Sequence, residues 1–215
     1  MNDNIVELNQ FRVCVKNTQI FKDQNGAYFA AIRNGSKFAI EIKSMWPTSM
    51  LPFECDMELN GEVIGTFQSQ GSRLYVETKP GTGKAFVAYV KGSREAYLAG
   101  QTSSFDENTG LIKLKLYPSK THHEVMRGGL EHKGYNSPVD TLYSKEITGQ
   151  LKSAPMQIGL QGKSDQNFTN VIGIDRDLFN ETVIYIRLVE KEEPDYNAIS
   201  PLAMPIKKET PYPRI

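Results

Sequence analysis

The sequence predicts an all-β fold, a jelly-roll-like β-sandwich with a Pro-rich extended C-terminal arm. Three observations carry that reading. Short segments rich in β-branched and aromatic residues recur along the chain, several with period-two alternation. An Asn-Gly pair stands between two of them, the strongest short-range hairpin signal. No segment sustains a helical period, which favours packed sheets over a βαβ arrangement.

Taken in order, Phe11–Val15 has strand character. Phe38–Lys43 follows, with partial alternation. Phe53–Met57 leads into a hairpin over Met57–Phe67 that turns at Asn60-Gly61, where both residues tolerate positive φ. Arg73–Glu77 and Ala85–Val90 are strands joined by a Pro-Gly-Thr-Gly turn at 80–83. Ser93–Gly100 reads as the one short helix, with Ser93 as N-cap and Gly100 as stop. Leu111–Tyr117 alternates cleanly, and Thr182–Val189 is the last strand. The organisation expected is N-terminal strands over 1–37 packing on a body of 38–192, then a tail of 193–215. Within the body, 121–155 is a long polar segment without periodicity.

Composition narrows the function classes. The 215 residues are 39% hydrophobic and 23% charged, enough to build a core without disulfides or metal. Lys+Arg and Asp+Glu balance at 25 each, which argues against a dedicated nucleic-acid binder. No apolar run reaches the ~20 residues of a membrane span. The first eight residues, acidic and amide-rich, lack the pattern of a signal peptide. Cys14 and Cys55, the two cysteines, read as reduced thiols in strands. A disulfide would need their Cα atoms within ~7 Å, which the sequence leaves open.

No catalytic or cofactor motif survives inspection, and the chain reads as a non-enzyme that needs no cofactor and no metal. Gly81-Thr82-Gly83-Lys84 looks like part of a phosphate loop. Thr78 stands where the first glycine belongs and Ala85 where a Ser or Thr should hold magnesium. His123-Glu124 begins like a zincin helix, but Arg127 replaces the second histidine, and His122 and His132 complete no ligand set. A triad of Ser137, His132 and Asp140 can be drawn, yet no nucleophile elbow frames the serine. Asp175-Arg176-Asp177 lacks the Gly and the terminal Glu of a calcium loop. Asn167-Phe168-Thr169 and Asn180-Glu181-Thr182 match the glycosylation pattern and carry little weight without a signal peptide.

Two features point to binding. The tail carries Pro194, Pro201, Pro205, Pro211 and Pro213, which favour an extended chain. Leu202, Met204, Ile206, Tyr212 and Ile215 would give such an arm apolar anchors on a neighbouring subunit. Trp46, in Met45-Trp46-Pro47, sits before turn residues and is a candidate interaction residue. With the loop tyrosines Tyr135 and Tyr143 it would suit a glycan.

Two stretches carry a family resemblance. They are Pro52–Phe67, with its cysteine-containing strand and glycine hairpin, and Gly159–Phe168 continuing to Thr182–Val189. The second contains Gly162-Lys163-Ser164-Asp165-Gln166-Asn167-Phe168. Together they resemble small β-sandwich proteins encoded by large double-stranded DNA viruses and related elements, over roughly 38–190. The resemblance implies a virion or assembly role, as a minor capsid, penton or surface component. It brings no catalytic residues. The expected function is therefore a non-enzymatic viral structural protein that self-associates or binds other shell proteins, assembled in the host cytoplasm into the virion. The alternative is a carbohydrate- or receptor-binding β-sandwich module.

Overall fold

The computed structural model describes residues 5–46, 51–90, 92–98, 107–120 and 156–191. They form an all-β sandwich of thirteen strands: β1 Val6–Leu8, β2 Phe11–Val15, β3 Gln19–Lys22, β4 Tyr28–Ile32, β5 Ser36–Lys37, β6 Ile40–Ser44, β7 Phe53–Leu59, β8 Glu62–Gln68, β9 Arg73–Val76, β10 Lys84–Val90, β11 Leu111–Pro118, β12 Met156–Lys163 and β13 Thr182–Glu190. One short helix, α1, spans Arg94–Leu98. The expected tail, 193–215, and the 121–155 segment up to Pro155 lie outside the described residues.

A six-stranded sheet runs β3-β4-β13-β11-β7-β8. A four-stranded sheet, β1-β2-β6-β9, and a three-stranded one, β12-β10-β5, form the other side. The two smaller sheets meet at a corner. Phe38 N–H donates to Phe86 O, and Phe86 N–H donates to Glu77 O. Residues 36–44 thus leave β10 and join β2 and β9, a strand switching sheets at a bend. This moves the strand expected over 38–43 to Ile40–Ser44, because Phe38 and Ala39 bond to different partners around the corner. β2 and β4 are interior strands of their sheets, so the chain before residue 38 helps build the body. β4 pairs with β13 in parallel, while the other named strand pairs are antiparallel.

One core joins the sheets. Phe11 of β2 meets Phe53 of β7 edge-on, ring centroids 5.2 Å apart, and Phe38 stacks on Phe86. β11 shows the alternation read from its sequence. Ile112, Leu114 and Leu116 are buried, while Lys113 faces out and pairs with Glu58 at 2.9 Å. β10 is apolar on both faces because both are covered. Phe86 and Ala88 enter the main core, and Val87 and Tyr89 lie with Ala96 of α1. Ser93 caps that helix by accepting from Ala96 N–H at 3.1 Å, as its sequence suggests.

The Asn60-Gly61 turn has φ of 52° and 77°, the left-handed pair its sequence requires. Asn60 also reaches beyond its hairpin. Its amide donates to Ile158 O at 2.8 Å and accepts from Gly110 N–H at 2.9 Å. Beside it, Arg187, only 3% exposed, donates to Thr109 O and Glu107 O, both at 2.7 Å. Four separate chain segments, the Asn60 turn, β12, residues 107–110 and β13, are thereby joined at one end of the sandwich.

Cys14 and Cys55 are both free thiols, on β2 and β7. Cys55 is fully buried, and burial pushes its thiol up, away from the reactive thiolate. The turn after β9 is occupied by Gly81 and Gly83 at positive φ, and Thr78 donates to Lys84 O across it. It closes the β9–β10 connection, the β-turn role that its sequence favoured over a phosphate loop.

On the outer face of the four-stranded sheet, Glu41 is 4% exposed and ringed by cations. Lys16 and Arg73 hold its two oxygens, and Lys43 stands 3.5 Å away. Burial alone would raise this carboxyl. The hydrogen bonds from Lys16 and Arg73 outweigh it and hold the group down at about 2. A carboxyl depressed below its ordinary 4.5 contributes stability that is present above that pH and is lost as pH falls towards 2. Glu41→Gln is therefore expected to lower the Tm near neutrality, with the gap from wild type closing as the buffer is taken towards pH 2. Thermal melts across that range check this; a gap that stays constant would show that the ion pairs contribute nothing.

Candidate functional site

The segment between β12 and β13, residues 164–181, is the most distinctive part of the described surface. It is irregular, yet fastened at several points. Ser164, buried at its start, donates to Glu77 Oε1 at 2.7 Å and accepts from Gln166 N–H. The Gln166 amide accepts from Glu77 N–H at 2.9 Å and donates to Tyr75 O at 2.6 Å. A primary amide here stands in for the peptide group of a neighbouring strand, covering the open edge of β9. Phe168 then packs on Phe67, centroids 5.2 Å apart. The Ser-Asp-Gln-x-Phe run that marks the resemblance is thus a docking device for this segment, and Asp165 is its one exposed acidic member.

Further along, Glu54, 5% exposed, accepts from Ile174 N–H at 2.9 Å and from Arg176 Nε at 2.6 Å. The other guanidinium nitrogens of Arg176 make two parallel 2.9 Å bonds to Asp56. The Arg176 guanidinium also lies 4.4 Å above the Tyr117 ring. Burial, then the carboxylates of Glu181 and Asp56, push the Tyr117 hydroxyl up to about 12. Burial would raise Asp56, but hydrogen bonds from Arg176 and Thr66 bring it below its usual range. Residues 175–177 pair with the end of β11 through Lys120 N–H to Asp175 O and Asp177 N–H to Pro118 O. Asp177 caps the 3-10 turn Leu178–Asn180 by accepting from Phe179 N–H and from the Asn180 amide. The Asp-Arg-Asp triplet rejected as a calcium loop is in fact this latch.

So anchored, the segment holds apolar side chains out into solvent. Ile172 is 94% exposed and Phe179 99%, with Val171 and Leu178 also well exposed. Large apolar side chains scattered singly on a surface need no explanation; four on one latched segment do.

A groove of about 820 Å³ opens between this segment and β8–β9, lined among others by Tyr75, Phe168, Gln68 and Asn170. Among the described residues, no three His, Cys, Asp or Glu side chains stand together as a metal set. No described helix is long and apolar enough to cross a membrane.

Trp46, half-buried after β6, keeps its indole nitrogen away from solvent, and its backbone N–H donates to Ser44 Oγ at 3.5 Å. It does not line the groove. The other sequence candidates lie outside the described residues. These are Leu202, Met204, Ile206, Tyr212 and Ile215 of the arm, and Tyr135, Tyr143, His122, His123, His132, Ser137 and Asp140 of the 121–155 segment. Ile172 and Phe179 were not singled out from sequence, since nothing local distinguishes an exposed Phe from a core one. Comparison with protein-family models, curated proteins and solved structures returns no match.

Proposed function

We propose that this chain is a non-enzymatic structural protein that acts by self-association or by binding other shell proteins. The observation that supports it is the set of four exposed apolar side chains on 171–179, a segment fastened by the Glu54–Arg176–Asp56 latch. Exposed apolar side chains on a pre-ordered segment bind with little ordering cost, since their backbone is already fixed. Such a contact, repeated by symmetry, lets modest interfaces hold a shell. The virion setting, as a minor capsid, penton or surface component assembled in the host cytoplasm, is what the family resemblance implies. The Pro-rich arm at 193–215, with Leu202, Met204, Ile206, Tyr212 and Ile215, is the proposed second contact, gaining affinity through effective concentration once the body docks. Solution mass by light scattering tests the reading. A discrete oligomer of the full chain at micromolar concentration is the expected result, reduced in a chain ending at Glu192. A full chain that remains monomeric throughout overturns the self-association.

A further inference from the structure

The groove between β8–β9 and the 164–174 segment shares Val171 with the exposed apolar side chains, but its chemistry is otherwise different. Its volume of about 820 Å³ falls within the range of small-ligand sites. The two charged residues in its lining are already committed. Glu54 is held by Arg176 and Ile174 N–H, and Arg73 by Glu41. What remains facing the groove is neutral. Gln70, Asn167 and Asn170 are exposed amides along it. The Gln68 Oε1 is buried and has no hydrogen-bond partner among the described residues. Three rings are in the lining: Tyr75, 43% exposed, Phe168, 37% exposed, and the buried Phe67 packed on Phe168.

From this we infer that the groove is a binding site for a neutral oligosaccharide of roughly two or three rings. A sugar ring offers an apolar C–H face and a rim of hydroxyls that both donate and accept. Aromatic rings match the first, and side-chain amides, each with donor and acceptor atoms, match the second. Glu54 is paired internally and Arg73 is bonded to Glu41, so most of the recognition atoms along the groove are uncharged. The glycan site thus falls on Tyr75 and Phe168 and not on Trp46, and Ile172 and Phe179 of the assembly contact do not line it.

The test is titration of the full chain by NMR or calorimetry with maltotriose, cellotriose, mannotriose and chitotriose, each up to ~10 mM, a range that detects weak binding. Saturable binding of at least one of these is expected. Tyr75→Ala and the exposed-rim variant Asn170→Ala should each weaken it about tenfold with the wild-type Tm retained. No binding by any of the four overturns the proposal. So does binding that both variants leave unchanged, or tighter binding of an uncharged extended Thr-Val heptapeptide, which would make the groove a strand-addition site. Repeating the titration on Ile172→Asp/Phe179→Asp protein separates a failure here from a failure of assembly.

Discussion

Gly110→Ala is expected to abolish stable folding, a loss of about 4 kcal/mol or more. Gly110 has φ of +72°, a conformation that side chains disfavour, and a Cβ there would sit 2.2 Å from Met156 O and 3.1 Å from Leu188 O. Both neighbours are backbone, so neither can swing aside. Moving the turn away would break Gly110 N–H to Asn60, Leu188 N–H to Gly110 O, and the Arg187 bonds to Thr109 and Glu107. Gly81→Ala is the control. Its φ is similar, +77°, but nothing lies within 4 Å, so it should cost only about 1 kcal/mol. Urea midpoints of the two variants give the comparison; equal midpoints would mean that the Gly110 joint is looser than described.

Arg176→Ala should be the most damaging change on the candidate site. It strands the Glu54 carboxylate in a buried position with only Ile174 N–H for compensation, and it removes both bonds to Asp56. Breaking a fully buried pair costs ~3–5 kcal/mol. The Arg176 side chain is 28% exposed, which brings the expectation down to about 2–3 kcal/mol. For a domain of this size that is a Tm drop of roughly 5–10 °C. It should also release residues 171–179, so their amides exchange with deuterium far faster while core strands such as β11 remain protected. Unchanged exchange in 171–179 would mean that the Ser164–Gln166 anchor holds the segment alone.

Local chemistry made much of this fold legible. The Asn60-Gly61 hairpin, the alternating β11 and the Ser93 cap each depend on residues a few positions apart. β4, Tyr-Phe-Ala-Ala-Ile, carried no alternation because both its faces are covered: Ala30 and Ile32 by the main core, Phe29 by Ala27 and Val189. Non-local partners were invisible for a different reason. Asn60 bonds to Ile158, 98 positions away, and Arg176 to Glu54, 122 away. Arg176 therefore read as a residue in a failed calcium motif, although it latches the segment. Trp46 stands out in sequence as a large ring beside turn residues, whereas Tyr75 lies within a strand whose sequence does not say which face is open, and Phe179 lies in a stretch without a distinguishing pattern.

Solution mass of the full-length Ile172→Asp/Phe179→Asp variant tests most directly whether the latched segment is a contact surface. Both residues are almost fully exposed, so the exchange should leave the Tm near wild type. The wild-type chain is expected to form a discrete oligomer and the double variant to shift to monomer. A variant that keeps the wild-type mass would contradict this, and would place the assembly contact elsewhere on the chain.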